Sequence, residues 1–281
     1  MMRRKVTETG ELLTVLWQLF PEMSHKKLKN YLTGHAVLVN GQIITQYNYV
    51  VKKEDIVEIK KENKTHKHST LPILYEDENF LVVDKPAGLL SIATSKEKEK
   101  TAYHLMREFI KQRNKHEKLF VVHRLDKDTS GILLFVKHEK LKWQLQNNWN
   151  QLVKTREYMA IVSGTIPAFS SYVCYLEEDK NYQVKVVEHG GKKAITSIYP
   201  IFHNQRFSLV KVAIKTGRKN QIRVVLSHLG YPIVGDKKYG NISYPRLLLH
   251  ASKLVLEHPV THQIYTFESK VPASFLTLIK S

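Results

Sequence analysis

The sequence predicts an α+β protein, with a large domain on a mixed, mainly antiparallel sheet and a small N-terminal α/β unit ahead of it. Three observations predict this. From Leu71 onward, short apolar strand patterns and amphipathic helix patterns are intermixed instead of alternating as regular βαβ repeats. Near the N-terminus, AVLVNGQII alternates around Asn40-Gly41, a strong two-residue hairpin signal. Between these textures, KKENKTHKHST is polar and aperiodic and reads as a linker. The boundaries that follow are a small unit over 10–60, a linker over 61–70 and a large domain over 71–281.

In the small unit, Leu12, Leu13, Leu16, Leu19 and Phe20 recur at helical spacing up to the break at Pro21. Ser24 is placed to cap a second helix whose apolar face is Leu28, Tyr31 and Leu32, with Gly34 as its stop signal. Lys26, Lys27 and Lys29 lie on that helix and cannot all share the buried side. DIVEIK is the closing strand.

In the large domain, ILYEDENFLVVDKPAGLL reads as two strands around an acidic turn, ending in a Lys-Pro-Ala-Gly loop. Residues 101–114 carry Leu105, Met106, Phe109 and Ile110 on one helical side. GILLFVK is a continuous apolar run, as expected of a buried strand. EYMAIVSG, AITSIYPI and FSLVKVAIK are further β segments, and QIRVVLSHLG is a helix with Ile222, Val225, Leu226 and Leu229 as its stripe.

Charge and composition narrow the partners. Lys and Arg number 44 against 26 Asp and Glu, a formal charge of +18. Such an excess favours a polyanion, because neutralising phosphates releases condensed counterions. Composition alone does not separate RNA, DNA and an anionic membrane. No apolar run approaches the ~20 residues of a membrane span, and MMRRKVTETGELL lacks the apolar stretch of a signal peptide. The one cysteine, Cys174, excludes an intramolecular disulfide framework and reads as an ordinary strand residue in SSYVCYLEE. A cytoplasmic protein is expected. The 14 histidines are scattered without zinc spacing, and no phosphate loop, dinucleotide fingerprint or nucleophile elbow accompanies them. Neither a metal nor a cofactor is expected, and the lack of a coiled-coil seam favours a monomer.

The most informative stretch is VVHRLDKDTSGILLFVK, residues 121–137, an apolar strand, a charged loop and a second apolar strand. A carboxylate and an arginine between buried strands must either pair or serve chemistry. The residues alone also admit a connecting turn in which Asp126 or Asp128 bonds backbone amides.

His123-Arg124-Leu125-Asp126 followed by Thr129-Ser130-Gly131 resembles the signature of the RluA-type pseudouridine synthases. Further blocks follow in the same order. They are Tyr75-Glu76-Asp77 with Asp84-Lys85-Pro86-Ala87-Gly88; Arg156-x-Tyr158; Lys193-Ala194 with Thr196; Thr216-Gly217-Arg218 with Gln221-Ile222-Arg223; Gly230-x-Pro232 with Gly235-Asp236 and Tyr239-Gly240; and Arg246-Leu247 through His258-Pro259. The resemblance implies a pseudouridine synthase fold and isomerisation of uridine to pseudouridine in RNA. It implies Asp126 as the catalytic carboxylate, Arg223 as the guanidinium that keeps it ionised, and Tyr158 as the aromatic beside the flipped base. It also implies substrate contacts from His123, Arg124, Arg218 and Asn220, and from Leu226 lining the pocket. One departure is Asn220, where the family carries His; Asn can cap the following helix.

The small unit resembles the S-four type RNA-binding domain through Ser24, Lys27, Leu28, Gly34, Val37, Val39, Asn40, Gly41, Asp55 and Ile59. Glu54 stands where that family usually has Gly, and His25 where many members have Arg. The resemblance implies RNA contacts from Lys26, Lys27 and Lys29, and favours ribosomal RNA of the large subunit over transfer RNA. Two rival functions are a catalytically silent RNA-binding or ribosome-assembly protein and a nucleoside- or glycoside-cleaving enzyme. The second would want another carboxylate ~5 Å away.

Overall fold

The computed structural model describes residues 2–33, 36–59, 71–95 and 97–280. The chain divides into two compact units, Met1–His68 and Ser69–Ser281. Gly34 and the expected linker 61–70, with His66 and His68, lie outside the described residues.

The first unit contains β1 (Met2–Lys5), β2 (Gly10–Glu11), α1 (Leu12–Leu19), α2 (His25–Thr33), β3 (Val37–Val39), β4 (Gln42–Ile43), β5 (Val50–Val51) and β6 (Ile56–Ile59). Its sheet runs β1-β6-β3-β4, with β2 and β5 paired separately. The unit thus begins before residue 10, since β1 pairs along the whole of β6. Ser24 Oγ accepts from the Lys27 amide at 3.3 Å and caps α2 as its sequence suggests. Leu28 and Leu32 are buried beside Leu12, Leu16 and Phe20 of the first helix and its end. Asn40 (φ 49°) and Gly41 (φ 83°) form the left-handed hairpin turn joining β3 to β4. The Asn40 amide also donates to Asp55 Oδ1 and accepts from the Ile56 amide, both at 2.9 Å, so the turn is tied to β6. Glu54 adopts φ 78°, a conformation glycine takes freely and a side chain does not.

The second unit contains β7 (Ile73–Glu76), β8 (Phe80–Lys85), α3 (Ala102–Arg113), β9 (Phe120–Val121), β10 (Ser130–Val136), α4 (Glu139–Asn147), α5 (Trp149–Leu152) and β11 (Val153–Ser163). It continues with β12 (Ser170–Glu178), β13 (Val184–Val187), β14 (Lys192–His203), β15 (Phe207–Ile214), α6 (Gln221–His228), β16 (Leu249–Glu257), β17 (Ile264–Glu268) and α7 (Ala273–Lys280). The sheet runs β13-β12-β14-β15-β11-β16-β10-β8-β7, with β17 on β16 and β9 on β10. Among its described pairs only β10 and β16 are parallel. The expected mixed, mainly antiparallel architecture is therefore present.

Burial explains the texture of the strands. Every residue of β10 is buried, because α3 packs Met106 and Ile110 near Leu133 and Phe135, while α4 packs Leu141 and Leu145 near Ile132 and Leu134. A strand covered on both faces reads as an unbroken apolar run. Strand β12 alternates instead, burying Cys174 and Leu176 against α6 and exposing Val173 and Tyr175. Gly131, the second residue of β10, has φ 109°, and a Cβ there would lie 2.2 Å from the Ala251 carbonyl oxygen of β16. Only glycine permits the close approach that starts the parallel pair.

Candidate active site

The loop between β9 and β10 carries Asp126, and its backbone is held from two directions. Ser91 Oγ donates to the Leu125 carbonyl at 2.7 Å and accepts from the Leu125 amide at 3.0 Å. Lys85, wholly buried, donates from Nζ to the carbonyls of Pro86, Leu89 and Lys127 at 2.7–3.0 Å. Burial pushes the Lys85 pKa down to about 8, against the pull of Asp128 and Asp126. Sequence reasoning singles out neither Lys85 nor Ser91, although Lys85 lies in the Asp84-Lys85-Pro86-Ala87-Gly88 motif.

Asp126 lies on a pocket of about 380 Å³ with Tyr158, Arg218, Ile222 and Arg223 on its walls. Its side chain is 27% exposed, and Oδ2 is 3.6 Å from Arg223 Nη1. Burial raises its pKa above the ordinary carboxylate value, and Arg223, Arg124 and Lys85 only partly oppose this. The expected countering guanidinium is present, but burial wins.

Arg223 has a closer partner. Its Nε and Nη2 donate to the two oxygens of Asp236 at 2.7 Å each, a bidentate fork. The Asp236 side chain is fully buried and also accepts from the amides of Lys238 and Tyr239. Burial opposes its ionisation, yet these hydrogen bonds, led by Arg223, hold its pKa below the ordinary value. The Tyr239 ring lies 5.3 Å from the guanidinium. The two-nitrogen fork of Arg223 thus faces Asp236, and Asp126 meets the remaining nitrogen. Sequence reasoning does not single out Asp236, although it lies in the Gly235-Asp236 motif; its pairing depends on how the turn after α6 folds back.

Tyr158 lies on β11 and lines the pocket. Burial pushes its pKa up to about 12, with Arg156 opposing and Asp126 adding, so its hydroxyl keeps its proton. Arg124 and Arg218 are exposed on the rim, and Arg218 Nε donates to the Lys193 carbonyl at 2.9 Å.

Three of the expected substrate contacts have partners inside the protein, two of them, His123 and Asn220, on the pocket wall. Leu226 is fully buried with Ile161, Val210 and Leu248 and is not among the pocket residues; one turn earlier on α6, Ile222 lines the pocket. The stripe that seats α6 on the sheet claims Leu226 for the core. His123 borders the pocket, but its Nε2 accepts from the Leu134 amide at 3.0 Å and its ring stacks on Trp149. Burial, aided by Arg156, pushes its pKa down to about 4, so it is a neutral brace for the loop. Asn220 stands at the N-cap position of α6 with φ 54°, yet its side chain makes no cap bond. Its Oδ1 accepts from Arg223 Nη1 at 3.3 Å and its Nδ2 donates to the Tyr239 hydroxyl at 3.1 Å. The left-handed backbone, which Asn tolerates, turns the amide toward the site and away from the helix amides.

An ionisable carboxylate, a fixed guanidinium and a protonated tyrosine at an open pocket can act on an anomeric centre and handle a proton. The RNA pseudouridylate synthase family matches residues 79–228 of this chain. A ribosomal large subunit pseudouridine synthase D of Pseudomonas aeruginosa is 31% identical over 93% of this chain and 88% of its own length. One of the same name from Neisseria meningitidis serogroup A is 30% identical, over 96% of this chain and 78% of its own. The solved structure of human RNA pseudouridylate synthase domain containing 4 shares the fold with a TM-score of 0.63 and 24% identity, covering 74% of this chain and 92% of that one. The chain belongs to the RNA pseudouridylate synthase family, whose reaction is the isomerisation of uridine to pseudouridine in RNA.

Proposed function

We propose that this protein modifies specific uridines of large-subunit ribosomal RNA, with Asp126 as the reacting carboxylate. The observation that carries the site assignment is the Asp126–Arg223 pair, 3.6 Å apart at an open pocket beside Tyr158. The printed names of the Pseudomonas and Neisseria relatives support the choice of RNA.

The chemistry sets the roles. The uracil must leave the sugar, turn and rejoin through carbon 5, which a base stacked in a helix cannot do. The target nucleotide is therefore flipped into the pocket, at a cost of a few kcal/mol. Asp126, ionised, acts on the sugar side of the glycosidic bond. Arg223, anchored by Asp236, presents one nitrogen to Asp126 and favours its charged form. Tyr158 lies beside the base and contributes a protonated hydroxyl. Arg124 and Arg218 are suited to contact RNA at the rim.

The first unit acts as an S-four type RNA-binding module. Lys26, Lys27 and Lys29 are exposed on α2 while Leu28 and Leu32 hold it to its core. The protein works as a cytoplasmic monomer. No described helix is long and apolar enough to cross a membrane.

Mapping pseudouridines in ribosomal and transfer RNA from a deletion strain tests this function. One or more large-subunit sites should be lost, then restored by the wild-type gene and not by Asp126→Asn. Loss confined to transfer RNA would redirect the target; restoration by Asp126→Asn would remove the assigned carboxylate.

A further inference from the structure

Arg156 is a pocket arginine to which the reaction above assigns no role. Strand periodicity places it on the same face of β11 as Tyr158, and both line the pocket. Its guanidinium is fixed: Nη2 donates to the Lys215 carbonyl at 2.5 Å, and Nη1 lies where a Cβ on Gly217 would be 2.9 Å away. The loop after β15 therefore holds the side chain in one place.

Its electrostatic situation differs from that of Arg223. Arg223 has Asp236 behind it and Asp126 in front. Among the described residues, Arg156 has no carboxylate partner. Glu157, its chain neighbour, is paired with Lys211 across the sheet at 3.5 Å. The ionisable groups that act on Arg156 or are acted on by it, His123 and Tyr158, are held neutral by burial. Arg156 is half-buried, and burial lowers its own pKa. A fixed, partly desolvated cation without a counter-charge is costly unless a ligand supplies the anion. Arg124 and Arg218, exposed at the rim, are relieved by water and carry no comparable demand.

We propose that Arg156 is a substrate-positioning residue whose guanidinium grips a phosphodiester of the nucleotide seated in the pocket. This rests on the family reaction and adds the contact that fixes the sugar-phosphate relative to Asp126. A uracil carbonyl could accept a hydrogen bond from Arg156 but would leave its charge uncompensated. A phosphodiester satisfies both, and matches the fork geometry of a guanidinium.

The test uses the full chain and an unmodified in vitro transcript of large-subunit ribosomal RNA, with Arg156→Gln and Arg156→Lys. Association is measured against salt concentration, and turnover is resolved into KM and kcat. Arg156→Gln should weaken binding about tenfold, mostly through KM, and flatten the salt slope by about one phosphate contact. Arg156→Lys should restore the slope and only part of the affinity, because a point charge replaces a fork. A slope and KM unchanged in a folded Arg156→Gln protein would overturn the assignment, as would a loss borne entirely by kcat. The slope is read from binding alone, so it tests Arg156 even if the wild-type protein fails to modify this transcript. That failure would count against the choice of RNA.

Discussion

Arg223 divides its site into a front and a back that differ sharply. At the back, Asp236 is fully buried, takes both arms of the fork at 2.7 Å and two backbone amides, and has a lowered pKa. At the front, Asp126 is 27% exposed, meets one nitrogen at 3.6 Å and has a raised pKa. Burial opposes ionisation of both acids; it prevails at Asp126 and is outweighed at Asp236 by hydrogen bonds to the charged form. The back is built for rigidity. The front keeps a carboxylate under-satisfied and reachable, as a reacting group should be.

The largest expected effect comes from removing the front charge. Asp126→Asn should lower turnover by about three orders of magnitude or more, while its melting temperature at neutral pH stays level or rises. The sign follows from linkage. A carboxyl whose folded pKa is raised holds its proton more tightly when folded, so its contribution favours folding in acid and is lost as pH rises through that pKa. Arg223 keeps Asp236 in this variant, so no buried cation is stranded. A fall of several degrees in melting temperature would show that Asp126 is structural.

Removing the back charge should do the reverse. Asp236→Asn strands a guanidinium beside a neutral amide and should cost about 3–5 kcal/mol of stability, measurable by denaturant unfolding. Its turnover should fall less than that of Asp126→Asn. The pH windows also oppose: stability from Asp236 is present above the ordinary carboxylate pKa and lost as pH falls through its lowered folded value.

Activity itself sharpens the contrast. The acid limb of kcat/KM, which reports the free enzyme, should lie above the ordinary Asp value of 3.8, since Asp126 must be ionised and its pKa is raised. Arg124→Gln should move that limb upward, because Arg124 is one of the charges opposing the rise. A limb at or below 3.8 would mean that another group reports it.

The smallest effect belongs to the first unit. Glu54 is held at φ 78°, so Glu54→Gly should stabilise that unit by up to about 1 kcal/mol, seen as a higher denaturation midpoint. The change also removes the ion pair with Lys5, but both side chains are mostly exposed and such pairs contribute little.

Much of the molecule was legible in one dimension. The Asn40-Gly41 turn, the doubly covered β10, the stripe of α6 and Ser24 as a cap follow from local sequence, because backbone preference and side-chain period act over a few residues. The ordered motif blocks likewise named the family and brought Asp126, Tyr158 and Arg223 forward together. Short strands such as β1, β2 and β5 carry too little periodicity to be read, and they exist because distant partners complete their hydrogen bonding.

The amino-acid order by itself determined which chemical groups this protein has and which elements carry them. Only the tertiary structure decided their pairings: Arg223 with Asp236 behind and Asp126 in front, Leu226 surrendered to the core, His123 spent on the Leu134 amide, Asn220 turned from the helix toward the guanidinium. The physical reason is range. Propensity and periodicity are set by neighbours along the chain, whereas the state of a charge depends on every donor, acceptor and apolar wall that folding brings within a few ångströms.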